Sequence, residues 1–491
     1  MKLALALLTA ASVILLAGCQ SIKPQASAPP PAPTAGPSAA PIVGPQDCIS
    51  PVPQGFTRIF IGTPAPGGQQ SGTSYADPLD GTTAAKFDAI LTSIADGQNP
   101  TLGAQSNIPP QNLIVCLGNG TFQTNGLYDL RFNGHIAGST LGFSVEKGWK
   151  FHGRGISNTT LQLASFLPTK FVDTKGVQFA GGSNTVIGTH SGAASGVEVS
   201  DLTIDVNHDG LEPASGLPLN LEAIVLRSDQ GGHWIHDVNV IGASGDVGVI
   251  NVKFETFTVW IWGNNSGGPQ VSSGSIVERV NVTQPGRPVA SGSPPGGASD
   301  GIVVSNAVAE IRNNLVDGYA IGYGGFGMGP AVFHDNTTQN TQYGFNADSF
   351  DNNGVVVRSN QFIRPSSFGI VIGGGPALTF MNWTVDSNHI ELSHDFSTAL
   401  VLRGQVQNST FINNTVTSSG NTSKQTAIIS YPAATGSVNM NNAFQGNRVD
   451  GGLSFNFSAD PNLKTDCLFN NRDLLGNPLP AFPDNSTQIC P

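Results

Sequence analysis

Asp348 and Arg403 are the residues whose types and spacing best suit bond-making chemistry. Each stands fifth in a short strand that opens on a small residue, Gly344-Phe345-Asn346-Ala347-Asp348 and Ala399-Leu400-Val401-Leu402-Arg403. Aligning that strand along the chain at its first residue gives an outward column of fifth positions. It reads Arg227, Ser305, Gly324, Asp348, Gly373, Arg403 and Tyr431, with glycine expected on both sides of Asp348. A carboxylate in the floor of an open trough can act as base, acid or nucleophile. A guanidinium two coils away, roughly 10 Å at the strand spacing, can clamp a carboxylate bidentately. The pattern predicts an acidic, uronate-containing oligosaccharide in a groove, with Asp348 doing the chemistry and Arg403, Arg227 and Tyr431 holding the chain. The competing reading is that outward polar residues keep a repetitive surface in solution.

Trp260 and Trp262 lie two residues apart, so on a strand they share one face. Exposed, they would stack on sugar rings; buried, they would be core. His233, His236, His334, His389 and His394 show no repeating metal-ligand spacing. The glycine-rich stretch from Gly322 to Gly329 reads as a tight corner, because no helix follows it to form a phosphate cradle.

The elements that would position these residues come from a repeat. An apolar residue, two free positions, Asn, one free position and usually another apolar residue recur six times, at Asn314, Asn336, Asn360, Asn388, Asn414 and Asn447. Spacings of 22 to 33 residues, with no helical period, predict a solenoid of short strands. Stacked coils put each Asn above the last, where buried amides can bond one another along the axis as a ladder.

The chain ends read differently. Lys2, the apolar run Leu3 to Leu16 and Leu16-Ala17-Gly18-Cys19 make residues 1–19 a targeting segment, too short to span a bilayer. The tetrapeptide resembles the lipobox of bacterial lipoproteins. That resemblance implies lipidation at Cys19 and, with Gln20 following, a bacterial cell-envelope protein anchored at the outer membrane by its lipid alone. Residues 20–45, rich in Pro and Ala, read as a disordered tether. Residues 46–491 read as one elongated domain, with an N-terminal cap and first coils over 46–165 and a C-terminal cap over 455–491. With 22 Lys+Arg against 33 Asp+Glu, the net charge of −11 argues against a nucleic-acid partner. A monomer is expected. Cys48, Cys116, Cys467 and Cys490 allow three pairings, of which Cys48–Cys116 and Cys467–Cys490 close the shortest loops and would staple the two ends. Phe87, Ile90, Leu91 and Ile94 form an apolar stripe behind Asp80-Gly81-Thr82-Thr83, predicting a capping helix over 82–95.

The order of that helix, Asn119-Gly120-Thr121-Phe122, and Gly153-Arg154-Gly155 running on to Thr160-Leu161 resembles the opening of the pectate-lyase-like β-helix superfamily. The likeness is nearest to its rhamnogalacturonase/epimerase-like pectate lyase subgroup. It implies an all-β, single-stranded, right-handed parallel β-helix and a polysaccharide lyase or glycoside hydrolase. A non-catalytic β-helix for glycan binding or adhesion is the alternative. Some lyases of the superfamily hold Ca²⁺ on outward aspartates. Here Asp201, Asp205 and Asp209 would be the ligands, unless Asn207 to Gly210 is simply a turn. Tyr343 to Asp348 is similar to the Tyr-Gly-Phe-Asp-Pro-His motif of alginate epimerases, which implies a catalytic role for Tyr343. Asn346 and Asp348 replace the motif's Asp and His.

Overall fold

The computed structural model describes residues 45–479 apart from 96–110, 130–139, 142, 167–169, 173–177, 190–193, 216–218, 244–255, 264–271, 285–298, 349, 375–377, 432–438 and 457–465. These residues lie in one compact unit, Val43–Pro491. Cys19, the targeting segment, nearly all of the tether and Cys490 fall outside the described residues.

Strands dominate, and nearly all pair in parallel with the equivalent strand one coil away. Leu219–Arg227, Thr256–Trp262, Ser299–Ser305, Ile321–Phe326, Tyr343–Ala347, Phe368–Ile372, Thr398–Arg403 and Thr426–Tyr431 follow one another in a 13-stranded sheet. A 23-stranded sheet carries the Asn phrases, and a three-stranded sheet closes part of the third side. This is a right-handed parallel β-helix. Among the described residues, antiparallel pairing between strands is found in the N-terminal part, where Gln178–Gly188 meets Leu127–Asp129 and Lys170–Val172, and Leu127–Asp129 meets Thr140–Leu141.

The interior is built from columns of like residues. Ile224, Val259, Ile302, Tyr323, Phe345, Ile370, Leu400 and Ile428 stack coil upon coil in register. All eight are buried, and each such side chain contributes about 1.5–3 kcal/mol relative to exposure. The small residue opening each strand is explained by what faces it. A Cβ on Gly301, Gly322, Gly344 or Gly369 would come within 2.3–2.7 Å of Val316, Thr338, Phe362 or Ile390 from the neighbouring sheet.

The Asn ladder sits at the corner between two strand sets of the larger sheet. Nδ2 of Asn314, Asn336, Asn360, Asn388 and Asn414 donates to Oδ1 of the next ladder Asn at 2.9–3.1 Å, and Asn447 donates to Asn471 at 2.8 Å. Each Oδ1 from Asn336 to Asn471 also accepts the backbone N–H of the Asn before it. Asn471 is thus a seventh rung. In the earlier coils Leu202, Val238 and Val280 hold the equivalent place, and the Val280 N–H bonds Oδ1 of Asn314 to start the ladder. The residue before each rung turns the corner with positive φ, from Asp201 (59°), Asp237 (52°) and Arg279 (53°) to Asn470 (54°).

The predicted capping helix is present as Ala84–Ala95, with Phe87, Leu91 and Ile94 buried and Ile90 only partly so. Asp88, on the same helix, accepts from Thr124 Oγ1 and from Asn125, which docks the helix on the coil. The Cys48–Cys116 disulfide is formed.

Candidate functional site

The outer face of the 13-stranded sheet gathers most of the residues singled out by the sequence. Backbone register runs Arg227, Trp262, Ser305, Phe326 through consecutive coils. Two residues beyond the Gly324–Asn346 pair, the same register sets Asp348 beside Phe326. Gly373 then precedes Arg403, which pairs with Tyr431. The expected column differs at one place: Val303, not Ser305, pairs with Gly324. The cause is the small residue that opens the strand. Gly322, not Ala320, takes that inward place, which shifts the count by two. Asp348 therefore has an aromatic ring on one side and glycine on the other. The glycine side is tight: a Cβ on Gly373 would meet the Arg403 carbonyl oxygen at 1.6 Å.

The alternation places Trp260 and Trp262 on the outer face, and Phe257 packs against Trp260 in the same aromatic cluster. Trp260 stacks on Trp262 at 4.4 Å between centroids, and Phe257 lies 4.7 Å from Trp260. Phe326 joins at 5.7 Å from Phe257, and Phe350 at 5.7 Å from Phe326. Arg227 lies 4.6 Å over Trp262. Trp260 is buried and donates its indole N–H to Ser305 Oγ, whereas Trp262 is half-buried. Trp260 takes the buried alternative, and Trp262 lies between the two. Phe350 is exposed and Asp348 half-buried. Tyr343 stacks on Phe368 one coil on, at 5.1 Å.

Two acids on this face escaped the sequence reading. Glu222 precedes inward Ala223 as Asp300 precedes inward Gly301, so both point outward, in line with Phe257, Ile321 and Tyr343. Both are buried, and Glu222 accepts from Thr185 at 2.9 Å. The signal was the residue before each small opener.

The other concentration of chemistry lies along the corner of the larger sheet. A chain of ion pairs and charge-assisted hydrogen bonds runs unbroken from Asp47 through Lys150, Glu198, His236, Asp237, Arg279, Glu278, Arg312, Glu310 and His334 to Asp335, with links of 2.6–3.2 Å. Trp234 stacks on His236 at 3.9 Å and donates to Glu278. Burial pushes the Glu198 and Glu278 carboxyls up, but hydrogen bonds from His236 and Arg312 and the nearby cations outweigh it and hold both low. Carboxylates kept ionised in this way are poor proton donors, so the row reads as stitching between coils.

The aspartates that would hold Ca²⁺ do not converge. Positive φ at Asp201 bends the strand, so plain alternation does not carry from Asp201 to Asp205. Asp201 accepts from Ser200, Asp205 from Gln162 and the Asn207 N–H, and Asp209 lies in the first turn of a helix, His208–Ser215. Among the described residues, the one group of three whose ligand atoms lie within 4.8 Å of each other is Asp47, His152 and Glu198.

No family model and no curated protein matches the sequence. Solved structures do. The A-module of mannuronan C-5 epimerase AlgE6 of Azotobacter vinelandii is 13% identical, over 80% of this chain and 91% of that one, with a TM-score of 0.42. A tailspike of E. coli bacteriophage HK620, in complex with a pentasaccharide, is 12% identical over 77% and 65%, with a TM-score of 0.42. The catalytic unit of a GH87 α-1,3-glucanase of Streptomyces thermodiastaticus is 12% identical over 76% of this chain and 52% of that one, with a TM-score of 0.38. Among the described residues no helix is long and apolar enough to cross a membrane.

Proposed function

We propose that this chain is a polysaccharide-active enzyme that holds a uronate-containing glycan along the outer face of its 13-stranded sheet. The observation that carries the reading is the aromatic run from Trp262 to Phe350, flanked by Arg227 and leading to Asp348. Ring faces suit the C–H faces of sugars, and guanidinium groups suit uronate carboxylates. Arg227 and Arg403 bind the chain, with Tyr431 beside Arg403. Asp348 moves the proton as base or acid, and Tyr343 stands on the same face. The reaction is β-elimination or hydrolysis. Cys19 carries the lipid that anchors the enzyme in the cell envelope.

One observation favours a second reading. Glu222 and Asp300 on this face are buried, so neither is open to a bound sugar as a second carboxylate. A glycan-binding solenoid used for adhesion would need none. Incubation with a panel of acidic polysaccharides separates the two, reading ultraviolet absorbance for unsaturated ends and reducing sugar for hydrolysis. Turnover supports the enzyme; saturable binding without turnover supports adhesion.

A further inference from the structure

Three segments distant in sequence meet beside the ion-pair row. The N-terminal helical turn Gln46–Ile49 brings Asp47, strand Lys150–His152 brings His152, and strand Glu198–Asp205 brings Glu198. Asp47 is held in place by its neighbours. Cys48 is disulfide-bonded to Cys116, and Arg58 donates to the carbonyls of Asp47 and Ser50.

His152 is 1% exposed, and its Nε2 has no hydrogen-bond partner. That nitrogen points at two carboxylates, 3.7 Å from Asp47 Oδ2 and 3.9 Å from Glu198 Oε1. Its other nitrogen, Nδ1, lies 2.8 Å from Ser200 Oγ. The Ser200 hydroxyl gives its proton to Asp201, so toward His152 it acts as acceptor. Nδ1 must therefore carry a hydrogen, which leaves Nε2 as the atom that faces the two carboxylates. An imidazole fixed through its far nitrogen, with its other nitrogen beside two carboxylate oxygens, is how proteins prepare a metal ligand.

We propose that Asp47, His152 and Glu198 bind a divalent cation of the zinc class, which ties the N-terminal turn to the first coils. The donor set decides the class. One imidazole nitrogen with two carboxylate oxygens suits zinc and its transition-metal neighbours, whereas calcium and magnesium take oxygen ligands. Lys150 is the competitor. Its Nζ lies 2.6 Å from Asp47 Oδ2 and 3.0 Å from Glu198 Oε2, neutralising the same carboxylates. The ion takes Asp47 from it, while Lys150 keeps the far oxygen of Glu198 and its place over Phe56. The site is then in exchange between an ammonium and a metal, and its affinity is set by Lys150.

Titration of the chelator-treated full chain with Co²⁺, followed by its visible absorption and by Zn²⁺ displacement, tests the site directly. One equivalent is expected to bind saturably and to raise Tm by at least about 3 °C at excess ion. Asp47→Asn and Glu198→Gln, which keep size and shape, should each weaken binding at least about 10-fold. Ser200→Ala, which frees the imidazole orientation, should cost about 10-fold. Lys150→Met should bind more tightly than the parent. Absence of saturable Co²⁺ binding in the parent, or binding unchanged in both carboxylate variants, would overturn the proposal.

Discussion

The guanidinium of Arg227 lies 4.6 Å over the ring of Trp262, its neighbour one coil along the outer face of the 13-stranded sheet. Trp262 in turn stacks on the buried Trp260, so the ring is braced on one side by aromatic core. A braced ring under a fixed cation loses little freedom when a ligand settles against its edge and the guanidinium.

Trp262→Ala should therefore weaken glycan binding about 10-fold, some 1.4 kcal/mol, with Trp262→Phe retaining most of the affinity. Arg227→Gln should weaken uronate-containing glycans more than neutral ones, because only the former lose a charge partner. Calorimetric titration with matched neutral and acidic oligosaccharides reads both effects. Equal losses on the two classes would remove Arg227 from uronate recognition.

Asn360 donates to Asn388 at 3.0 Å and accepts from Asn336 at 2.9 Å. Asn360→Asp keeps the shape, removes the donor and sets a carboxylate oxygen against Oδ1 of Asn388. A loss of about 1–3 kcal/mol is expected. Denaturant melts at neutral pH measure it, and an unchanged midpoint would mean that the ladder contributes nothing.

These two regions differ in how far the sequence exposed them. The ladder was legible because each buried amide donates to the next copy, which favours the same residue type from Asn314 to Asn471. The corner before it is not legible in that way. Positive φ is met by Asp201, Arg279, Ser359 and Asn413 alike, so no single residue type marks the corner. The outward column was legible except where Gly322 and Ala320 compete as strand opener; both are small, and only the approach of Thr338 Cγ2 to Gly322 decides between them. Glu222 and Asp300 were hidden because outward columns carry no shared chemistry from coil to coil. The meeting of Asp47 with His152 and Glu198 depends on how the N-terminal turn packs, which no repeat encodes.

Two histidines three residues apart should give stability opposite pH slopes. Burial pushes His233 down to about 4, below its unfolded value near 6.5. The unfolded state thus takes the proton first, and stability present above about pH 6.5 is lost progressively as pH falls toward 4, by about 3 kcal/mol in all. His236 is shifted the other way: burial opposes its charge, but the hydrogen bonds to Glu198 and Asp237 win and raise it. Its contribution is complete below about 6.5 and is lost as pH rises through its raised folded value. Thermal melts from pH 5 to 9 should pass through a maximum near neutrality. His233→Gln should flatten the acid side between pH 6.5 and 5, and an unaltered acid limb would contradict the assignment.

Cys19→Ala should release the protein from the membrane fraction of a Gram-negative host into the soluble envelope fraction. Membrane association identical to the parent would remove the lipid anchor from the account.

The most direct test of the central claim is turnover by Asp348→Asn on whichever acidic polysaccharide the parent degrades, measured alongside binding of the same substrate. The substitution keeps the size of a half-buried side chain, so Tm should stay near that of the parent. Turnover is expected to fall at least about 100-fold, the scale for losing a general acid or base, while the dissociation constant changes less than about 3-fold. Parent-like turnover by Asp348→Asn, with the same affinity, would contradict Asp348 as the reacting carboxylate and with it the catalytic use of this face.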